Sequence, residues 1–391
     1  MRKLAGLLAL GAMMLALLPG AQAGPGPHGV SSDNVEHVQF VPFEVGTATG
    51  ANFFSKGKDD YMIITGWRSF SIYNINDPEA PELVGDPVPF GFKFENEDVA
   101  TNGNIMLFSE SLPGTADASG PHTVLHIWNI EDVTNPVEIS TLLDAGDHTT
   151  SCILKCKWAY GSDGTISDLR DPAKPKLIEA QWGDNATPPN NNGHDVTEVA
   201  NGIVMTSTNP IMILDARKDP TSPKVLAVAP PTHEGFVHSS LWPRGMKDKF
   251  AISGGETCCG AEQCGPDTSA GITTWDTTGW KKTHTFKQAD RWTAPNGTIT
   301  DGGTILNAPF GCSSHWFTTH PTWKNSGVLV AGWYASGTRF LDVSPKGKIT
   351  ETGWFLPHGG STSGAYWITD EVVYAVDYAR GIDVLKYTGK T

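Results

Sequence analysis

The stretch Ile72-Tyr73-Asn74-Ile75-Asn76-Asp77-Pro78-Glu79-Ala80-Pro81-Glu82-Leu83-Val84 returns as Ile166-Ser167-Asp168-Leu169-Arg170-Asp171-Pro172-Ala173-Lys174-Pro175-Lys176-Leu177-Ile178. A third copy runs from Ile127 to Ile139 with Val133 in place of the first proline, and a fourth from Ile213 through Asp219-Pro220-Thr221-Ser222-Pro223 to Leu226. Degenerate copies start near Thr273, Arg339 and Ile382. Each copy reads as strand, turn, strand: proline presets φ for the turn, and the aspartate carboxylate can accept backbone N–H groups there. Self-similarity of this kind is the sequence signature of a repeat architecture.

Two more short runs precede each copy, for example His194 to Val199 and Ile203 to Ser207. Four strands per unit describe a propeller blade. The innermost strands begin near Gly50, Glu97, His148, His194, His238, His315 and Gly364. The expected fold is therefore all-β, a seven-bladed β-propeller with four-stranded blades. The last unit supplies only three strands of its own, so Val35-Glu36-His37-Val38-Gln39-Phe40-Val41 is expected to close the ring as the outer strand of the last blade, removing an exposed edge. The long interval between His238 and His315 predicts an insertion at about 255–312 that carries Cys258, Cys259, Cys264 and Cys312. Tryptophans such as Trp128, Trp158, Trp242, Trp316 and Trp367 are assigned mostly to packing between blades.

The chain starts with Arg2 and Lys3, an apolar run from Leu4 to Leu18, Pro19-Gly20, and the small-x-small site Ala21-Gln22-Ala23. This predicts a signal peptide over 1–23 and a mature chain over 24–391, secreted or periplasmic. No later run reaches the roughly 20 apolar residues of a membrane span. In an oxidising compartment the six cysteines are expected to be disulfide partners. Cys152 and Cys156 are close enough to bridge a tight hairpin, while the pairing among the other four stays open. Without Arg2 and Lys3 the chain holds 26 basic against 42 acidic residues, a surface that nucleic acid does not favour.

The blade starts read Glu97-Asp98-Val99, His148-Thr149-Thr150, His194-Asp195-Val196, His238-Ser239-Ser240 and His315-Trp316-Phe317. Four of these equivalent positions are histidine, and the start of an innermost strand faces the axial channel. Imidazoles converging from His148, His194, His238 and His315 suit a transition metal (copper, zinc, manganese or iron), with Glu97 as a fifth contributor. Asp147 or Asp195 would accept from the second ring nitrogens. The alternatives are a metal-free pocket for a small-molecule or saccharide ligand and a channel lining satisfied by backbone and water. His320 reads as a turn or groove residue, and His122, His126, His284 and His358 are assigned no role. The run from His233 to His238 is one residue too long for a zinc-protease helix motif, and no nucleophile elbow is present. Asn185-Ala186-Thr187 and Asn296-Gly297-Thr298 match glycosylation acceptors.

The repeated unit resembles the LVIVD-repeat family of secreted propeller proteins, over nearly the whole mature chain. The axial histidines His148, His194, His238 and His315 are also similar to those of the selenium-binding and methanethiol oxidase propellers. That second resemblance implies copper near the channel. The leading expectation is an exported metal-binding propeller, extending to an oxidoreductase that acts on a small substrate. A second is a polysaccharide lyase, in which a histidine works with Tyr334 or Tyr378 beside a charge-neutralising Arg339 or Arg380. A third is a non-catalytic scaffold for a ligand or protein.

Overall fold

The computed structural model describes residues 28–43, 48–91, 97, 99–111, 123–234, 236–256, 270–295 and 312–391. The expected signal peptide, His122, the acceptor at Asn296 and the cysteines 258, 259 and 264 lie outside them.

The repeats become turns by the predicted chemistry. The carboxylate of Asp77 accepts the N–H of Glu79, that of Asp132 the N–H of Thr134, that of Asp171 the N–H of Ala173, and that of Asp219 the N–H of Thr221. Three or four residues upstream of each aspartate, Asn74, Asn129, Asp168 and Asp215 accept the same bond from the N–H two residues on. The flanking strands are thereby brought antiparallel by side chains that the motif itself supplies.

Five separate four-stranded antiparallel sheets follow one another in chain order, each built from four consecutive strands. They begin with Ala48–Lys56, Ala100–Thr101, Thr150–Ile153, Val196–Ala200 and Val237–Leu241. The remaining strands form one nine-stranded sheet, ordered Gly29–Ser31, Ile349–Pro357, Gly337–Val343, Gly327–Trp333, Ser314–Thr319, Thr362–Trp367, Val372–Asp377, Gly381–Tyr387 and Val35–Pro42. Hydrogen bonding thus delimits five independent blades, which corrects the expectation of seven separate ones. The two halves of the nine-stranded sheet meet in parallel at a single pair, Trp316 with Gly364. Glycines allow the approach: a Cβ on Gly332 would fall 2.6 Å from the Gly364 nitrogen. Val35–Pro42 pairs antiparallel with Gly381–Tyr387, so the N-terminal strand takes the outer position predicted for it. Gly29–Ser31 adds a further strand beside Ile349–Pro357.

The stretch 255–312 is not one unbroken insertion. Ile272–Asp276 and Lys287–Trp292 within it are the third and fourth strands of the fifth sheet.

Neighbouring blades are stitched at two radii. Near the axis, hydroxyls of inner strands donate to carbonyls of the next blade: Thr149 to His194, Thr197 to Ser240 at 2.9 Å, Ser239 to His315 at 2.7 Å, Thr318 to Ala365 at 3.2 Å, and Ser363 to Thr49. Further out, Tyr374 donates to the Pro78 carbonyl and Tyr160 to the Pro220 carbonyl, which docks a repeat turn on the preceding blade. Apolar clusters fill the spaces between sheets. Ile63, Phe70 and Ile72 pack on Met106, Phe108 and Trp128, and Met62 and Tyr73 pack on Tyr374 and Val376 across the ring closure. Trp158 and Trp242 are likewise buried in such clusters, as expected of packing tryptophans.

Candidate metal centre

His148 and His194 lie just ahead of the inner strands of the third and fourth sheets, and His238 and His315 lie one residue inside the inner strands Val237–Leu241 and Ser314–Thr319. Glu97 precedes Ala100–Thr101 in the same way. The ring turns equivalent positions into convergent ones. Measured to Oε2 of Glu97, the Nε2 atoms stand at 2.8 Å for His315, 3.3 Å for His238, 3.8 Å for His194 and 4.0 Å for His148. Ring centroids step round an arc at 4.3 Å from His148 to His194, 3.7 Å from His194 to His238 and 3.8 Å from His238 to His315. His194, His238, His315 and Glu97 are buried, and the His148 side chain is 21% exposed, so solvent reaches the arc at that end.

The second nitrogens do not go where the sequence suggested. Asp147 accepts from Ser111 and Ser162, and Asp195 accepts from Ser151 and Thr197. Nδ1 of His315 lies 2.6 Å from the Ser363 carbonyl, to which only an N–H can donate. Nε2 of the same ring is in hydrogen-bond contact with Glu97, a contact that an ion held between the two would replace. Both ring nitrogens of His194, and Nδ1 of His238, are buried without a hydrogen-bond partner.

Burial and the neighbouring imidazoles keep His194 and His238 neutral, the latter pushed down to about 3 by desolvation and the charge of His315. For Glu97, burial alone would raise the pKa. The charge of His315 and hydrogen bonds from His238 and His315 outweigh it and hold the carboxyl well below its usual range. Unprotonated imidazoles and an ionised carboxylate are the forms that bind metal. Among the described residues, three His/Glu groups could hold an ion: Glu97, His238 and His315; Glu97, His148 and His194; and His194, His238 and Glu256.

Glu256 was not read from the sequence. It directly follows the second strand of the fifth sheet, Phe250–Gly255, as Tyr334 follows Gly327–Trp333 and Tyr378 follows Val372–Asp377. Aligning the ends of second strands, rather than the starts of first ones, would have exposed this second tier. Tyr378 donates to Oε1 of Glu97, Tyr334 donates to Oε1 of Glu256 at 3.1 Å, and the two phenol oxygens are 3.5 Å apart. Burial, with the nearby carboxylates, raises both phenol pKa values well above 10, so they remain donors.

The tyrosines of the lyase reading therefore reach the site, the Tyr334 ring standing 4.6 Å from that of His315. Its arginines are engaged elsewhere. Arg339 bonds Glu351 and the Ser336 carbonyl, and Arg380 bonds Asp383 and the His358 carbonyl. His320 sits in a turn between Thr322 and the Asp370 carbonyl, and His284 bonds the Leu226 carbonyl.

No family model and no curated protein matches this sequence. Solved structures similar to it are propeller-type proteins or of unknown function. A functionally unknown protein from Desulfotomaculum acetoxidans DSM 771 has a TM-score of 0.53 at 10% identity, over 83% of this chain and 90% of that one. The WD40 repeats of RRP9 have a TM-score of 0.53 at 11% identity, over 93% and 99%. YCF48 bound to D1 peptide has a TM-score of 0.51 at 9% identity, over 93% and 100%. At such identities the likeness speaks for the β-propeller fold alone.

Proposed function

We propose that this chain is an exported propeller of the LVIVD-repeat type that holds a transition-metal ion in its axial channel. His148, His194, His238 and His315 are its nitrogen ligands and Glu97 its oxygen ligand. One observation carries the reading: four Nε2 atoms lie within 4.0 Å of a single carboxylate oxygen while both ring nitrogens of His194 have no partner. Orphaned buried polar groups destabilise a fold by about 1–3 kcal/mol each. A bound ion is the partner that several neutral imidazoles and one carboxylate suit together. The nine-stranded sheet is read as two blades joined at one residue pair, which brings the blade count to seven. The Cys152–Cys156 disulfide accords with export.

When bound, copper or iron would supply one-electron chemistry and zinc Lewis acidity. The imidazole-rich ligand set supports the extension to an oxidoreductase acting on a small substrate. Tyr378 orients Glu97 by donating to the oxygen that faces away from the histidines, and Tyr334 holds Glu256 in the same way. Elemental analysis of protein purified without chelators tests the reading. About one equivalent of a transition metal per chain is expected, and under about a tenth would contradict it.

A further inference from the structure

Inner strands of several sheets together line a cavity of about 750 Å³, bounded in part by Asn102, Cys152, Lys155, Cys156, Glu198 and Trp316. Its wall includes an unusual backbone. Leu154, Lys155 and Cys156 have φ of 53°, 63° and 57°, three consecutive left-handed residues, none of them glycine. L-residues avoid this region because Cβ crowds the following carbonyl oxygen, and they visit it singly rather than in runs. The disulfide Cys152–Cys156 closes the turn. Two adjoining blades hold it: the Leu154 N–H donates to Glu198 at 3.2 Å, and the Asn102 amide donates to the Lys155 carbonyl at 3.1 Å. Cys152 is half-buried and Cys156 buried.

We propose that Cys152–Cys156 is an exchangeable disulfide whose reaction partner is a dithiol entering this cavity. A thiolate of the dithiol attacks Sγ of Cys152, the more accessible sulfur. The S–S bond breaks, and Cys156 leaves as a thiolate that takes up a proton. The second thiol of the partner then displaces Cys152 from the mixed disulfide. Two electrons and two protons pass to the chain, which ends with two thiols, and the partner ends as a disulfide. The direction follows from the backbone. Opening the bridge lets the three residues leave the left-handed region, so reduction relieves strain that oxidation imposes, and strained disulfides are the labile ones. Release of the turn also frees the two bonds to Glu198 and Asn102, so the redox state of the pair sets the shape of the cavity wall.

Cys312 supplies the internal reference. It is also disulfide-bonded, fully buried, and its sulfur accepts the Trp333 indole N–H at 3.0 Å. The test is to equilibrate the folded full-length protein with defined ratios of reduced to oxidised dithiothreitol, alkylate, and read each cysteine by mass spectrometry. Cys152 and Cys156 should reach half-reduction at a ratio at least about tenfold lower than Cys312. A Leu154→Gly, Lys155→Gly variant, which relieves two of the three left-handed residues without touching sulfur, should need a ratio about tenfold higher than the wild type to reach half-reduction. Reduction no easier than at Cys312, or a midpoint unmoved by the glycines, would overturn the proposal.

Discussion

His126 and His194 are both buried histidines of the same ring, and they are treated in opposite ways. His126, in the second blade, places Nδ1 2.6 Å from Glu138 and Nε2 3.0 Å from Glu110, so both nitrogens are satisfied by side chains from the adjoining strands. His194 lies at the axis with no partner for either nitrogen and with two further imidazole rings within 4.3 Å of its own. The repeat therefore can satisfy a buried histidine, and does so away from the axis. Leaving His194 open is a local property of the axial tier. In this account that opening is what an ion fills.

Replacing the two histidines in parallel gives the largest separation. His194→Ala should reduce bound metal to under about a tenth of an equivalent, because breaking the arc at its centre removes a ligand shared by two of the three groups. His126→Ala should leave metal content unchanged and instead lower unfolding free energy by about 1–3 kcal/mol, since it removes the hydrogen bonds of the ring to Glu110 and Glu138. Equal metal loss in both would erase the distinction. Next in size, Glu97→Gln keeps a group that Tyr378 can address but removes the charge. Its metal affinity by calorimetry should fall about 10- to 100-fold.

Acid acts on the axial site of the metal-free protein. The folded pKa of His238 is about 3 and that of His194 is also lowered, whereas an unfolded histidine titrates near 6.5. Between those values the unfolded chain binds protons that the folded chain refuses, so stability falls as pH drops from about 6.5 toward 3. The depressed pKa of Glu97 acts in the same direction, with stability lost as pH falls through its folded value. Urea unfolding at stepped pH should show this slope in the wild type and a shallower one in a His194→Phe, His238→Phe variant. The smallest effect is expected at the rim, where Asp171→Ala should lower stability by about 1 kcal/mol without changing metal content.

Much of this was legible in the chain because the repeat carries its own turn chemistry. Asp77, Asp132, Asp171 and Asp219 announced both the strand boundaries and the bonds that make them, and His148, His194, His238 and His315 were placed by counting blades. The residues that escaped did so for physical reasons. Glu256 lies on a second tier at the ends of second strands, where the recurring residue is tyrosine, as at Tyr334 and Tyr378, and not a histidine or glutamate. The Asp147 and Asp195 expectation failed because serine and threonine hydroxyls occupy the same carboxylates. The continuity of the nine-stranded sheet depends on the close approach of Gly332 to Gly364, a tertiary meeting that neither glycine signals alone.

The central claim is that imidazoles from several blades share one ion, and X-ray absorption at the edge of the bound metal tests it most directly. A shell of nitrogen and oxygen at about 2.0–2.2 Å with the outer-shell scattering of at least three imidazoles is expected, lost in His194→Ala. A sulfur shell, or an ion surrounded by oxygen with no imidazole scattering, would contradict it.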